Sequence, residues 1–357
     1  MIRALGKVRF LLAGRGAADR LPPVMPIFSL PFEKPLLLLA QEINTLRAKV
    51  APPGVPGPEL AADIARKEAE LRHAAELLYA NLSAWERVQI ARHPLRPNIV
   101  ETLGAICDDF VELHGDRHFA DDQAVYGGLA TFRGRRIVAM GTRKGRDTKS
   151  NLACNFGCPF PEGYRKALRL MKLADKFALP VVTLIDTAGA FPGIEGEERH
   201  VAEAIAVNLR EMFGLSVPVV SVVSGEGGSG GALALGVCDR LLMAQYAYYS
   251  VISPEGCAAI LWKDRAYVAD AAKALKLTAD DLKALGLVDG ILPEPLGGAH
   301  NAPAAWFRSL ADGIDRALSQ VEALPAEERK RQRYARFRAM GVFTEGTAPP
   351  PMAAGGE

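Results

Sequence analysis

The sequence predicts an α/β protein with a parallel sheet, preceded by a pair of helices. Three observations support this reading. Between residues 181 and 237, two apolar strand-like runs alternate with helical patterns, the arrangement that favours parallel pairing through crossovers. Each run ends in a glycine-bearing loop, where open parallel sheets place their ligands. Before His93-Pro94, apolar residues recur only at steps of three and four.

In chain order, Leu36, Leu39, Ile43, Leu46 and Val50 form the first helical stripe. A Pro- and Gly-rich break at 51–58 follows. Leu60, Ile64, Leu71, Leu78, Leu82 and Trp85 then form a second stripe, so an antiparallel helical hairpin is expected. Thr131-Phe132 and the run 135–140 flank Arg133-Gly134 as a β-hairpin. Residues 162–178 read as an amphipathic helix with Ala167, Leu170, Met171, Ala174 and Phe177 inward. The buried strand 181–185 leads to the loop Asp186-Thr187-Ala188-Gly189-Ala190-Phe191-Pro192-Gly193. A helix over 197–213 leads to the strand 217–224, and the glycine tract Gly225 to Gly231 is read as the turn after it. A small-residue helix opens at Ala232. Short strands at 240–245 and 248–252 and helix at 269–285 complete the pattern. Six basic residues between Arg329 and Arg338 follow Glu327 and Glu328, a solvated helix favoured by its dipole.

Composition excludes several classes. Apolar residues make up 49% and charged residues 24%, ordinary values for a globular chain of 357 residues. No apolar run approaches the ~20 residues needed to cross a bilayer. A net charge of +2 gives no argument for nucleic acid or membrane binding. Five scattered cysteines argue against a disulfide framework and for a cytoplasmic location. Cys154 and Cys158, with no second pair, are a poor zinc signature, so no metal site is expected. Residues 1–24 carry five Arg or Lys and one Asp and read as an upstream extension.

Five glycines within Gly225 to Gly231 admit several chemistries. Gly225, Gly227 and Gly230 match G-x-G-x-x-G, but no carboxylate lies between Leu241 and Ser253 to hold a ribose. Gly227-Gly228-Ser229-Gly230-Gly231 matches the G-x-S-x-G elbow, yet His300 is the one histidine after Ser229. No Gly-Lys-Ser/Thr follows the tract, which removes the phosphate loop and any ATP site. A third reading needs no side-chain nucleophile. Two glycine loops at adjacent strand tips offer backbone N–H groups to a developing oxyanion, each worth ~3–4 kcal/mol in a transition state. An enolate of a thioester, or the ureido oxygen of a biotin ring, would suit such a hole. A tight turn that merely permits close packing is the plainer alternative.

Six stretches bear on that choice. They are Asp186 to Gly193 followed by Glu197-Glu198-Arg199; Gly225 to Ala234; Tyr249-Ser250-Val251-Ile252-Ser253-Pro254-Glu255-Gly256-Cys257-Ala258; Asn155-Phe156-Gly157; Pro161 to Ala167; and Pro293 to His300. Together they resemble the carboxyltransferase alpha subunits of multi-subunit acetyl-CoA carboxylases, from about Met25 to Gly341. This chain has Ala188 where such subunits often carry Pro. The resemblance implies a crotonase-like spiral of strand-strand-helix repeats after the helical hairpin. It also implies transfer of CO2 from carboxybiotin, presented by a biotin carboxyl carrier protein, to acetyl-CoA, giving malonyl-CoA for fatty-acid biosynthesis. The implied partners are a beta subunit, in an α2β2 assembly and carrying the zinc, and biotin carboxylase in the full complex.

Under that resemblance the protein need only position and polarise its substrates. Gly230, Gly231 and the backbone of Gly189, Ala190 and Phe191 are expected to form the oxyanion hole. Gly227, Gly228, Ser229, Glu255 and Gly256 are expected to line the substrate site, with Glu255 accepting backbone N–H bonds. Arg143, Lys144, Arg146 and Lys149 read as a solvated loop, with CoA phosphates or a partner as the alternative. His93, His114, His118 and His200 read as structural or exposed. The expected organisation is an extension at 1–24, the helical hairpin at 25–92, the carboxyltransferase domain at 93–322, a basic helix at 323–341 and a disordered tail at 342–357. Two further readings stay open: a stand-alone crotonase-type hydratase or hydrolase, which would need Glu226 or Asp186 to move protons, and a non-catalytic scaffold.

Overall fold

The computed structural model describes residues 27–49 and 56–341. The extension at 1–24, Val50 of the first stripe, most of the Pro- and Gly-rich break and the tail at 342–357 lie outside the described residues. The chain divides into two compact units, the first ending at Leu71 and the second beginning at Arg72.

In the first unit, helix α1 (Lys34–Ala48) follows a turn in which Glu33 accepts the N–H groups of Ser29 and Leu30. Its buried stripe is Leu36, Ala40 and Ile43. Helix α2 (Pro58–Ala80) begins in this unit, where Arg47 pairs with Glu68 and Lys67 with Glu42. Trp85 does not continue α2. Ser83 caps a separate helix α3 (Ala84–Ala91) with a reciprocal Glu86 bond. In α3, Val88 and Ala91 pack with Tyr248, Ala272 and Leu277. The expected boundary near residue 92 therefore falls inside the second unit.

The second unit is built on one eight-stranded sheet. Helix α4 (Ile99–Ile106) precedes β1 (Asp108–Glu112), β2 (Val125–Phe132) and β3 (Arg135–Thr142), an antiparallel meander. From β3 onward pairing is parallel. Helices α5 (Thr148–Ala153) and α6 (Pro161–Lys176) lead to β4 (Val181–Thr187), and α7 (Ile194–Glu198) and α8 (Val201–Gly214) to β5 (Val219–Gly228). Helix α6 buries Ala167, Leu170, Met171 and Ala174 against β2 and β3. Phe177, expected inward, caps the helix end and is 59% exposed. The expected single helix over 197–213 is broken where His200 adopts φ +65°.

Beyond β5 come α9 (Ser229–Leu233), β6 (Arg240–Ala244), β7 (Tyr248–Ser250), α10 (Pro254–Leu261), α11 (Val268–Ala274), α12 (Ala279–Ala284), β8 (Gly290–Leu292), α13 (Pro303–Glu322) and α14 (Ala326–Arg338). Strand β5 forks. Val220–Val223 pair with β6, whereas Glu226–Gly228 pair with β7. The glycine tract is thus mostly strand, and helix α9 follows directly from Ser229. Helix α13 packs on β5, β6 and β8, enclosing the apolar core. Helix α14 is solvated over most of its surface, as its charges suggest, but Arg333 is buried, bonding both carboxylate oxygens of Asp239 at 2.8 Å and the carbonyls of Met212, Leu215 and Val217.

Candidate functional site

The loops after β4 and β5 meet. A β-carbon on Gly228 would stand 2.1 Å from the Ala188 carbonyl oxygen, and one on Gly231 would stand 2.5 Å from the Ala190 nitrogen. Backbone replaces side chain at this junction, so glycine is the residue that lets the loops touch. Gly225 serves a different contact: a β-carbon there would lie 2.5 Å from Asp186 Oδ1. Gly230 is less crowded, with Ile205 Cγ2 the nearest atom to its missing side chain at an ordinary contact distance of 3.7 Å.

The junction narrows the expected donor set. Gly189 N–H donates to Thr187 Oγ1 at 3.0 Å, and Phe191 N–H to the Pro159 carbonyl at 2.9 Å. Those two amides are occupied, one within the loop and one by the segment before α6, and leave the expected oxyanion hole. The Ala190 N–H has no acceptor among the described residues, and the N–H groups of Gly230 and Gly231 have none outside α9. For the two glycines the cause is position, since the first N–H groups of α9 have no intrahelical partner.

The remaining expected residues separate. Gly227 and Gly228 are buried in β5 between β4 and β7 and present no open surface. Ser229 is exposed at φ +55°, in the left-handed region between strand and helix. Its hydroxyl makes no hydrogen bond to a histidine among the described residues. His300 is instead stacked on His93 at 3.7 Å, where burial and the neighbouring His93 and Arg96 hold its pKa down to about 3. Gly256 N–H is taken by the Ser253 cap of α10 at 3.1 Å. Among the described residues Glu255 accepts none of the expected backbone N–H bonds. It pairs with Arg92, Nη1 to Oε1 at 2.5 Å.

That pair opens a network the sequence reading did not anticipate. Arg92, just past α3, also bonds Glu226 Oε2 at 3.0 Å and Tyr248 Oη at 3.1 Å. Tyr248 donates to Glu226 Oε2 at 2.6 Å. Lys144 is no solvated loop residue: Nζ bridges Asp186 Oδ1 at 2.7 Å and Glu226 Oε1 at 2.8 Å. Asp186 Oδ1 also accepts the Glu226 N–H at 2.9 Å. Burial alone would raise the Glu226 pKa, but Lys144 and Arg92 outweigh it and hold the carboxyl at about 2. Burial likewise opposes the Lys144 charge, and the two carboxylates more than offset it. Glu226 stays ionised, and both it and Asp186 are paired with Lys144. A group fixed in that way is a brace for the loops, not a proton carrier.

The family model for acetyl co-enzyme A carboxylase carboxyltransferase-like proteins matches residues 29–341. The chain belongs to this family. It is 51% identical over 318 residues to the acetyl-coenzyme A carboxylase carboxyl transferase subunit alpha of Geobacter metallireducens, covering 89% of this chain and 99% of that one. Among solved structures it resembles a transcarboxylase 12S hexamer at TM-score 0.50 and 21% identity, covering 63% of this chain and 42% of the other. It resembles a Pseudomonas malonate decarboxylase hetero-tetramer at TM-score 0.51 and 16% identity, covering 61% and 89%. The chain spans less than half of the transcarboxylase chain, and at these identities both likenesses bear on the fold alone. The fold is the crotonase-like one the motifs implied. Among the described residues no helix is long and apolar enough to cross a membrane.

Proposed function

We propose that this chain is the alpha subunit of a carboxyltransferase that moves a carboxyl group from carboxybiotin, on a carrier protein, to acetyl-CoA. The observation that carries the reading is the set of unbonded amides, Ala190, Gly230 and Gly231, at one junction between two strand tips. Donors fixed before the ligand arrives need no reorganisation as negative charge develops, and each contributes ~3–4 kcal/mol in the transition state. The residues of this chain bind and orient the biotin ring and polarise its ureido oxygen. The ring itself supplies the carboxyl-transfer chemistry. A beta subunit completes the site in an α2β2 assembly, binds acetyl-CoA and holds the zinc, while biotin carboxylase supplies ATP-driven carboxylation elsewhere. Five free cysteines fit a reducing cytoplasm.

Stand-alone hydratase chemistry is disfavoured because Asp186 and Glu226 are both held by Lys144.

The glycines provide the test. Gly230→Val adds bulk where nothing lies closer than 3.7 Å to its first carbon, so the chain should fold and assemble while malonyl-CoA formation falls about 100-fold or more. Gly231→Ala forces its methyl onto the Ala190 nitrogen and should lower thermal stability as well as activity. Full turnover of Gly230→Val in the α–β assembly with carboxylated carrier would refute the site.

A further inference from the structure

Tyr164 stands in the first turns of α6, fully buried, in a small cluster with Ala204 and Ala234 and with Ala190, Val201 and Ile205 against it. Its hydroxyl lies 2.7 Å from the point a Gly231 β-carbon would occupy, and that same point is 2.5 Å from the Ala190 nitrogen. The phenol therefore shares one corner with two of the three unbonded amides. No atom of the described residues hydrogen-bonds to it, and it has no contact with solvent. Neighbouring buried hydroxyls are treated differently. Thr183 bonds Ser221 and the Leu235 carbonyl, Thr187 bonds the Gly189 carbonyl, and Tyr248 bonds Glu226.

A buried hydroxyl without a partner destabilises a protein, and phenylalanine would fill the same volume without that cost. We propose that the Tyr164 hydroxyl is a further, side-chain donor of the oxyanion site, reached when the ligand lifts the Gly189–Ala190 segment. That segment lies between two anchors, Gly189 held to Thr187 through both its N–H and its carbonyl and the Phe191 N–H on Pro159, with the Ala190 N–H between them unbonded. Burial raises the phenol's pKa well above its ordinary value, with Cys158 and Asp122 adding to the effect. The hydroxyl thus keeps its proton and acts as a neutral donor, not as a base. This inference rests on the carboxyltransferase reading of the two loops.

The test is Tyr164→Phe in the α–β assembly, beside Gly230→Val. The expected result is a fall in kcat of about 10- to 100-fold, a KM for acetyl-CoA within about twofold of the parent, and a Tm equal to or above it. The split separates donation from scaffolding, because a purely structural role would lower Tm together with kcat. If Tyr164→Phe keeps full kcat while Gly230→Val is inactive, the Tyr164 assignment fails and the site stands. If Tyr164→Phe loses Tm in step with kcat, the assignment also fails. If both variants keep full activity, the reading of the loops fails and takes this inference with it.

Discussion

Lys144 holds two carboxylates at once, and among the described residues neither pairs with another lysine. Its substitution is therefore more informative than that of either acid. In Lys144→Met, Asp186 and Glu226 would face each other across the loop base with only Arg92 as a remaining cation. Like charges at such a distance cannot both stay ionised without penalty, so one takes a proton and its pKa rises. The side chain keeps 23% of its surface exposed, which puts the expected loss toward the lower end of the ~3–5 kcal/mol typical of a broken buried pair. Turnover of the variant should fall as pH rises and recover at lower pH, where the shared proton is retained. Lys144→Arg should restore a flat profile. A Lys144→Met enzyme with parental stability and an unchanged pH profile would show that the bridge is ornamental. None of this was legible from the basic run Arg143 to Lys149. In sequence it resembles any solvated loop, and the carboxylates it meets lie 42 and 82 positions away.

Among elements, α14 shows the same lesson from the opposite direction. A stretch of six basic residues in ten is ordinarily a wet helix face, and Lys330 and Arg331 do pair locally with Glu327 and Glu328. Arg333 instead enters the interior, because the carbonyls of Met212, Leu215 and Val217 at the α8 exit have no backbone donors there and Asp239 supplies the counter-charge. A planar guanidinium satisfies this set in a way an ammonium cannot. Arg333→Met should cost about 3–5 kcal/mol, measured as a shift in denaturant midpoint, by leaving Asp239 without its counter-charge and three carbonyls without a donor. A loss below about 1 kcal/mol would mean the helix is only peripherally docked. The strands and α6 were easier to foresee. Their apolar periods are local signals, whereas the break at His200, the cap at Ser83 and the strand character of Gly225 to Gly228 depend on neighbours distant in sequence. The two glycine loops were legible as a site. Which of their amides are free was not, since Thr187 and Pro159 occupy Gly189 and Phe191 only once the chain has folded.

At the scale of the whole molecule, acid should unfold the protein through a few groups. Burial works against ionisation of Glu226 and Asp121, yet Lys144 and Arg92 at the first and Lys166 at the second hold both near a pKa of about 2. Folded values below the unfolded ones mean that this stabilisation is complete above about pH 4.5 and disappears as pH falls toward 2. Asp122, raised by burial to about 6, titrates the other way and adds stability as pH falls from 6 to 3.8. Melting followed by circular dichroism should therefore show Tm holding near pH 5 and collapsing below about 4. A Tm that stays level to pH 2 would contradict the charge network. The fork in β5 has a mechanical consequence. Because its apolar half is clamped by β6 and its glycine half by β7, the strand acts as a rigid lever arm with the unbonded amides at its tip. A shift of α3 or α12, the helices packed on β7, would thus reach the amides at the tip of β5 without touching them.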